Sequence, residues 1–275
     1  MPELPEVETV RKSLIPQIKN KKIKKIVIPY TGIIVGDAQE FIARLEGETF
    51  LDVERKGKYL VFRFTNDKTV VSHLRMEGKY HVVPTDTPFD KHEHLAYQLT
   101  DGTDLRYADV RKFGRLQLVE TGTEEVVTGI SKLGPEPNSA AFTQKYFFAG
   151  LNQRKKNIKN VLLDQSLVTG LGNIYVDEVL WLSKIHPLTP ANQIDSAEAA
   201  ELFAAINEEI ALAIKNHGTT VFTYLDASGH AGSMQNYLHA YSHGGEPCER
   251  CGTTMEKIKV SGRGTVFCPH CQVQK

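Results

Sequence analysis

Two places in the chain carry residue types and spacings that can do chemistry. The first is the opening run Met1-Pro2-Glu3-Leu4-Pro5-Glu6-Val7-Glu8. Removal of the initiator Met before a small residue would make Pro2 the amino terminus, a secondary amine beside the Glu3 carboxylate. An α-amino group titrates near 7.7–8.0, so a useful fraction is neutral at neutral pH, unlike a Lys. Neutral amines attack carbonyl-like carbons and form Schiff bases, and an adjacent carboxylate can shuttle the protons. The bland alternative, ordinary helix-start chemistry, is favoured by these residues alone. The second place is Cys248-Glu249-Arg250-Cys251 and Cys268-Pro269-His270-Cys271, which hold the only cysteines. Their C-x2-C-x16-C-x2-C spacing is that of a four-thiolate structural Zn2+ site. Two disulfides would require an oxidising compartment, and the chain has no secretory features.

Both sites need elements to hold them. Pro5 suits the first turn of a helix, Glu6 and Glu8 favour its dipole, and Val7, Val10 and Leu14 recur at helical spacing. A buried helix starting there would hold the Pro2 nitrogen in a fixed place. Between the cysteine pairs, Lys257–Val260 and Thr265–Phe267 alternate as strands around Ser261-Gly262-Arg263-Gly264, which predicts a metal-held hairpin with Arg263 at its tip. A cation pinned there is suited to a phosphate, although a solvated turn residue is the commoner case.

Residues 23–119 read as sheet. Ile23–Ile28, Tyr59–Phe64, Thr69–Leu74, Lys79–Val83, His94–Leu99, Thr103–Ala108 and Arg115–Val119 are short runs rich in β-branched and aromatic residues. No room remains for crossover helices after residue 57, so the sheet is mostly antiparallel, a sandwich or barrel, interrupted by a helix around Asp37–Leu45. Gly134-Pro135-Glu136-Pro137 reads as a linker, and from about 139 to 217 the pattern is helical. Asp195-Ser196-Ala197-Glu198 has the form of a capping box opening a long helix, with Gly218 in the C′ position. Thr169-Gly170-Leu171-Gly172-Asn173 opens the apolar helix Ile174–Leu182, and its backbone amides can hold a phosphate. Arg154, Lys155, Lys156 and Lys159 at the entrance tip a plain helical hairpin toward DNA. Residues 217–245 lack periodicity and read as a long loop.

The 275 residues allow two domains with cores and a small third module. The formal net charge of zero argues against a nucleic-acid binder, but the basic residues are clustered, as in Lys19, Lys21, Lys22, Lys24 and Lys25. No apolar run is long enough for a membrane span, and the start has no apolar signal region, so a cytoplasmic protein is expected.

At this point the residues resemble a known family along nearly the whole chain. PELPEVE at 2–8, GKYL at 57–60, HLRMEG at 73–78, KHEH at 91–94, YADVRKFG at 107–114, LGPEP at 133–137, GLGNIYVDEVL at 170–180 and the cysteine hairpin are similar, in order, to formamidopyrimidine-DNA glycosylases. The resemblance implies an α+β multidomain protein: an N-terminal antiparallel β-sandwich over 1–131, a helix–two-turn–helix domain over 132–239 and a C-terminal four-cysteine zinc-finger hairpin over 240–275. It implies a monomer acting on damaged double-stranded DNA, with the duplex held between lobes and one structural Zn2+. The activity implied is excision of oxidised purines (8-oxoguanine and formamidopyrimidines) followed by strand cleavage through β- and δ-elimination.

The roles come with the resemblance. Pro2 is the nucleophile and Glu3 the proton donor that helps open the sugar, with Glu6 a carboxylate near the same site. Lys58 serves β-elimination and Arg263 δ-elimination. His73, His92, Arg154 and Asn173 are DNA contacts, and Met76, Arg111 and Phe113 fill the gap left by the flipped nucleotide. From the residues alone, Lys58 reads as a solvated lysine, His73 and His92 as ordinary strand and loop histidines, and Met76 and Phe113 as core. The stretch 217–235, opening Gly218-Thr219-Thr220, matches the family's lesion-reading loop. Rivals are the sister enzyme for oxidised pyrimidines, endonuclease VIII, a non-catalytic lesion sensor, and a small-molecule enzyme with an amino-terminal proline. The complete Met76, Arg111 and Phe113 set, with Leu4 and Val7, disfavours the first; Pro2 and Glu3 disfavour the second; the zinc hairpin and basic helix entrance disfavour the third.

Overall fold

A computed structural model describes all residues except 128, 220–226, 228 and 230. It divides into two compact units: Met1–Ser131 with His217–Ser233, and Lys132–Asn216 with Met234–Lys275.

The first unit starts with α1 (Leu4–Ile18), capped at Glu3 and with Pro5 in its first turn. There follow β1 (Ile23–Val27), β2 (Ile34–Val35), α2 (Ala38–Leu45), β3 (Phe50–Lys56), β4 (Tyr59–Phe64), β5 (Lys68–His73), β6 (Lys79–Pro84), β7 (Glu93–Leu99), β8 (Thr103–Ala108) and β9 (Arg115–Glu120). They form two sheets, β1-β7-β8-β6 and β2-β9-β5-β4-β3, in which every pairing is antiparallel except β2 with β9. Phe50, Phe62, Tyr80, Leu95, Tyr97 and Leu105 close the core between the sheets. Helix α1 packs on β3 and β4 of one sheet and β6 of the other, and everything from Pro2 to Val10 is buried. The chain start is therefore walled in.

Strand β3 goes beyond the sequence reading. Its Asp52, Glu54, Arg55 and Lys56 hide the apolar alternation. It lies at the edge of its sheet, where charges deter pairing with other chains. The β3–β4 hairpin turns on Gly57-Lys58, with Lys56 paired to Tyr59 and Gly57 at φ +59°. A glycine in that first position suits a two-residue hairpin loop.

The second unit holds α3 (Gln144–Asn152), α4 (Ile158–Leu163), α5 (Asn173–Leu182), α6 (Ser196–Lys215), and the hairpin β10 (Glu256–Val260) and β11 (Arg263–Phe267). Asp195 caps α6 in the expected box. The residue at C′ is His217 with φ +60°, not Gly218, because the helix ends at Lys215 with Asn216 as its cap. The Gly134-Pro135 stretch is no loose linker: the Gly134 amide donates to the Gln165 carbonyl at 2.9 Å and the Pro135 carbonyl accepts from Thr169 at 3.0 Å. No described helix is long and apolar enough to cross a membrane.

Phe50 touches Phe62, Phe64 and Tyr97 with ring centroids 6.2, 4.6 and 5.6 Å away. Phe50→Ala is expected to lower the unfolding free energy by about 3–5 kcal/mol, read by urea denaturation; a loss under about 1 kcal/mol would show that this aromatic cluster does not hold the sandwich together.

Candidate active site and nucleic-acid interface

Glu6 fastens the chain start. One of its carboxylate oxygens accepts the Glu3 amide at 2.8 Å, and the other accepts the Thr219 amide at 2.8 Å and its hydroxyl at 3.3 Å. Gly218, at φ +71°, lets this happen: a Cβ there would sit 2.6 Å from the Glu6 oxygen. Pro2 and Glu3 are buried beside it. Burial holds the Met1 ammonium below its ordinary value; the charges acting on it are Glu3, Glu6 and Glu77, which oppose the shift, and Lys58, which adds to it. The structure thus brings Pro2, Glu3, Glu6 and Lys58 together, and adds Glu77, which sequence reading missed. Lys58 is a turn residue yet only 6% exposed, so it is not the solvated lysine that its bare sequence context suggests.

His73 ends β5 and is buried against the edge of Tyr59, 4.5 Å between centroids. Its Nδ1 accepts the Arg75 amide at 2.9 Å, so in the neutral ring the proton is on Nε2, a ready donor. Burial, with the Arg75 and Lys58 charges, lowers its pKa to about 3.

Met76 and Phe113 stand on two exposed turns, 42% and 48% accessible, where core burial was the plain expectation. One residue sets both turns. The Tyr107 hydroxyl lies where a Cβ on Gly78 would be 2.4 Å away and a Cβ on Gly114 1.6 Å away. Only glycines let the two backbones close on that oxygen. Asp109 staples the second turn: its carboxylate accepts the Arg111 amide at 3.0 Å and the Gly114 amide at 2.8 Å. The Arg111 guanidinium lies over the Phe113 ring at 4.7 Å.

His92 is half-buried, and its carbonyl accepts the Asp109 amide at 2.9 Å. The loop before it is pinned from below by Arg106, which is fully buried. That guanidinium meets Asp104 and Glu93 at 3.0 and 2.9 Å, and the Thr87 and Pro88 carbonyls at 2.6 and 3.2 Å. Tyr107 and Asp109, inside the YADVRKFG stretch, and Arg106 just before it were given no role in the sequence because each reads there as an ordinary strand or turn residue.

The remaining candidates lie in the second unit. Arg154 folds back on α3, donating to the Gly150 carbonyl at 2.7 Å. Asn173, the first residue of α5, donates to the Gly264 carbonyl at 2.9 Å. Lys159 is fully buried, 2.6 Å from Asp177, whose other oxygen accepts the Val266 amide at 3.1 Å. Burial raises the Asp177 carboxyl and Lys159 restrains that rise. These bonds dock the β10–β11 hairpin on α4 and α5. Arg263 is exposed but is not at the tip: Ser261 and Gly262, both at positive φ, make the two-residue turn, and Arg263 pairs with Val260 as the first residue of the return strand.

The ligand sulfurs of Cys248, Cys251, Cys268 and Cys271 all lie within 4.8 Å of one another, with Cys251 and Cys268 at 3.5 Å. Four thiolates about 2.3 Å from one Zn2+ would be about 3.8 Å apart, so the cluster fits a tetrahedral structural zinc. Such a closed set leaves no position for substrate, and its role is to hold the hairpin. Cys248 and Cys268 pack with Trp181, Met255 and Val266 in a small core of their own.

Most of the chain is covered by matches to known domains. Residues 1–116 match the formamidopyrimidine-DNA glycosylase N-terminal domain, 133–224 its H2TH domain, and 245–273 the zinc finger found in FPG and IleRS. The chain is 62% identical to the formamidopyrimidine-DNA glycosylase of Lactobacillus gasseri, over 99% of each chain. It is 55% identical to that of Ligilactobacillus salivarius, over 100% of each. Among solved structures it resembles Lactococcus lactis Fpg bound to abasic-site DNA (TM-score 0.92, 45% identity). It also resembles the wild-type Lactococcus lactis enzyme bound to N7-benzyl-Fapy-dG DNA (TM-score 0.93, 44% identity); both likenesses cover 99% of this chain and 100% of the other. The fold and site define a sandwich, H2TH and zinc-finger protein. The chain belongs to the formamidopyrimidine-DNA glycosylase family.

Because His73 is neutral in the fold down to about pH 3 while the unfolded chain takes up its proton near pH 6.5, the unfolded state binds the extra proton between those values. Stability is complete above 6.5 and falls on acidification, by at most about 1.4 kcal/mol per pH unit. Denaturation of wild type and His73→Gln at pH 7 and 5 tests this: the variant should show the shallower loss, and equal losses would refute it. Separately, Cys251→Ser is expected to lower zinc content below one per chain and to weaken duplex binding, read by metal analysis and anisotropy; full binding without metal would contradict the hairpin's role.

Proposed function

We propose that the chain excises oxidised purines, 8-oxoguanine and formamidopyrimidines, from duplex DNA and then cleaves the strand as an abasic-site lyase. The observation that carries the reading is the enclosed chain start, where burial favours the neutral form of an amine and Glu3, Glu6 and Lys58 stand around it. Loss of Met1 leaves the Pro2 nitrogen as that amine.

The damaged base is out of reach inside the duplex, so its nucleotide is turned out and the lost stacking is offset by contacts. Met76 and Phe113 supply apolar wedges on their turns and Arg111 a cation for the orphaned partner base. The Pro2 nitrogen attacks the sugar C1′. Glu3 donates a proton to the opening ring oxygen, the base departs with the proton given up by the Pro2 nitrogen, and the freed nitrogen lone pair closes an iminium. That cation acidifies the neighbouring C2′ proton. Its removal expels the 3′ phosphate with help from Lys58, and a second elimination, assisted by Arg263, expels the 5′ phosphate. His73 as a neutral Nε2 donor, His92, Arg154 and Asn173 hold phosphates, whose contacts fix register without reading sequence. The work divides among residues 1–131 for chemistry, 132–239 for grip and 240–275 for the zinc-held Arg263. Lesion reading falls to 217–235, of which 220–226, 228 and 230 lie outside the described residues. A cytoplasmic, nucleoid-associated location goes with this activity.

Borohydride trapping on a duplex with 8-oxoguanine opposite cytosine, beside one with thymine glycol, tests the reading. Wild type should form a covalent adduct faster on the 8-oxoguanine strand, and Pro2→Gly should lose most of the excision while keeping its fold and duplex binding. Undiminished turnover by Pro2→Gly would remove the nucleophile; faster trapping on thymine glycol would move the substrate to oxidised pyrimidines.

A further inference from the structure

Tyr30 lies far in sequence from the turns described above and took no part in the reading of the site. The residue is 38% exposed, an unusual place for a large aromatic to be held from three sides. The backbone of Gly32 lies under it: a Cβ on Gly32 would be 2.5 Å from the ring carbon Cζ. The edge of His94 meets it with centroids 5.4 Å apart and the planes at 61°. The Lys112 ammonium stands over its face, 4.5 Å from the centroid.

Those last two neighbours are the root and the crest of one turn. His94 donates from Nε2 to the Asp109 carbonyl at 2.8 Å, and Asp109 is the residue whose carboxylate staples Arg111 and Gly114. Lys112 sits at φ +57° with its amide donating to the Asp109 carbonyl at 3.3 Å. A non-glycine residue in that region costs conformational energy and persists only where surroundings hold it. Arg111 takes the ring of Phe113, so the two adjacent cations at the crest each have a separate aromatic partner.

We infer that Tyr30 is a positioning residue: by clasping Lys112 and backing His94, it holds the 109–114 turn in the shape that presents Arg111 and Phe113. The inference deepens the reading above and rests on it for the role of the turn. Cation–π attraction at an exposed site is modest and needs only the ring, not the hydroxyl, so Tyr30→Phe should behave as the parent does. Tyr30→Ala should free the turn while leaving the sandwich core, which the ring does not enter, intact.

The experiment has two readouts. Amide hydrogen exchange on the free protein should quicken at Arg111, Lys112 and Gly114 in Tyr30→Ala, with an unchanged global melting midpoint. Single-turnover excision of 8-oxoguanine should fall by about two- to fivefold in Tyr30→Ala and in Lys112→Met, the worth of an exposed cation–π pair, with the double variant no slower than either single one. Unchanged exchange in Tyr30→Ala overturns the inference. So do additive losses with a shallower salt dependence, since these would mean that Lys112 and Tyr30 each meet the DNA directly. A parent protein that leaves 8-oxoguanine in place sinks the functional reading instead, and the exchange measurement still decides whether Tyr30 shapes the turn.

Discussion

A carboxylate taken out of water must be given donors, and at the start of this chain that requirement organises the site. Glu6 is nearly inaccessible, yet its oxygens accept amides from both Glu3 and Thr219. Hydrogen bonds to an ionised acceptor are about twice as strong as neutral ones, and leaving such a group without donors costs several kcal/mol. The carboxylate therefore fixes the backbone of Glu3 and the stretch after α6 against the same point. Pro2 inherits its position from that bond, since the residues from Leu4 onward are already locked into a buried helix. Glu8 obeys the same rule two residues later, meeting Arg11 at 2.7 Å and Arg55 at 3.0 Å. Three acidic residues beside two prolines look like a solvated terminus; in the fold, each is buried.

The exposed side of the first unit is built on the opposite economy. The turns at 74–78 and 109–114 are exposed at their crests, and part of their shape comes from a few buried polar atoms beneath them. The Asp109 carboxylate and the Tyr107 hydroxyl supply them at the end of β8, while the Arg106 network holds the loop before His92. Rigid strands thus hand their order to short loops, which lets exposed apolar side chains stay in place without a core around them.

Much of this was legible in the sequence. The strands from Tyr59 to Val119, the capping box at Asp195 and the cysteine spacing each follow from local chemistry, and local chemistry is what a sequence displays. The parts that were not legible depend on distant partners. Strand β3 carries edge charges that mask its period, and Lys58 is buried although a Gly-Lys turn normally faces water. Gly218 looked like a helix stop, whereas its bare Cα makes room for Glu6, more than two hundred positions earlier. Arg263 slipped from tip to strand because Ser261 accepts a positive φ that leaves Gly262 to complete the turn. The roles of Met76 and Phe113 came from family likeness alone, since an alternating strand pattern does not distinguish wedge from core.

The Tyr107 hydroxyl has a consequence for how this surface can vary. It touches the backbone of two turns at once, so positions 78, 107 and 114 are locked as a set: a side chain at either glycine collides with the ring, and a smaller residue at 107 leaves both turns without their shared abutment. Drift in the geometry of one turn cannot be absorbed without disturbing the other. The freedom that remains lies in the outward side chains at 76, 110, 111 and 113, which can be exchanged on an unchanged frame. New side chains on this exposed rim are therefore accessible by single substitutions, while new loop lengths or angles are not.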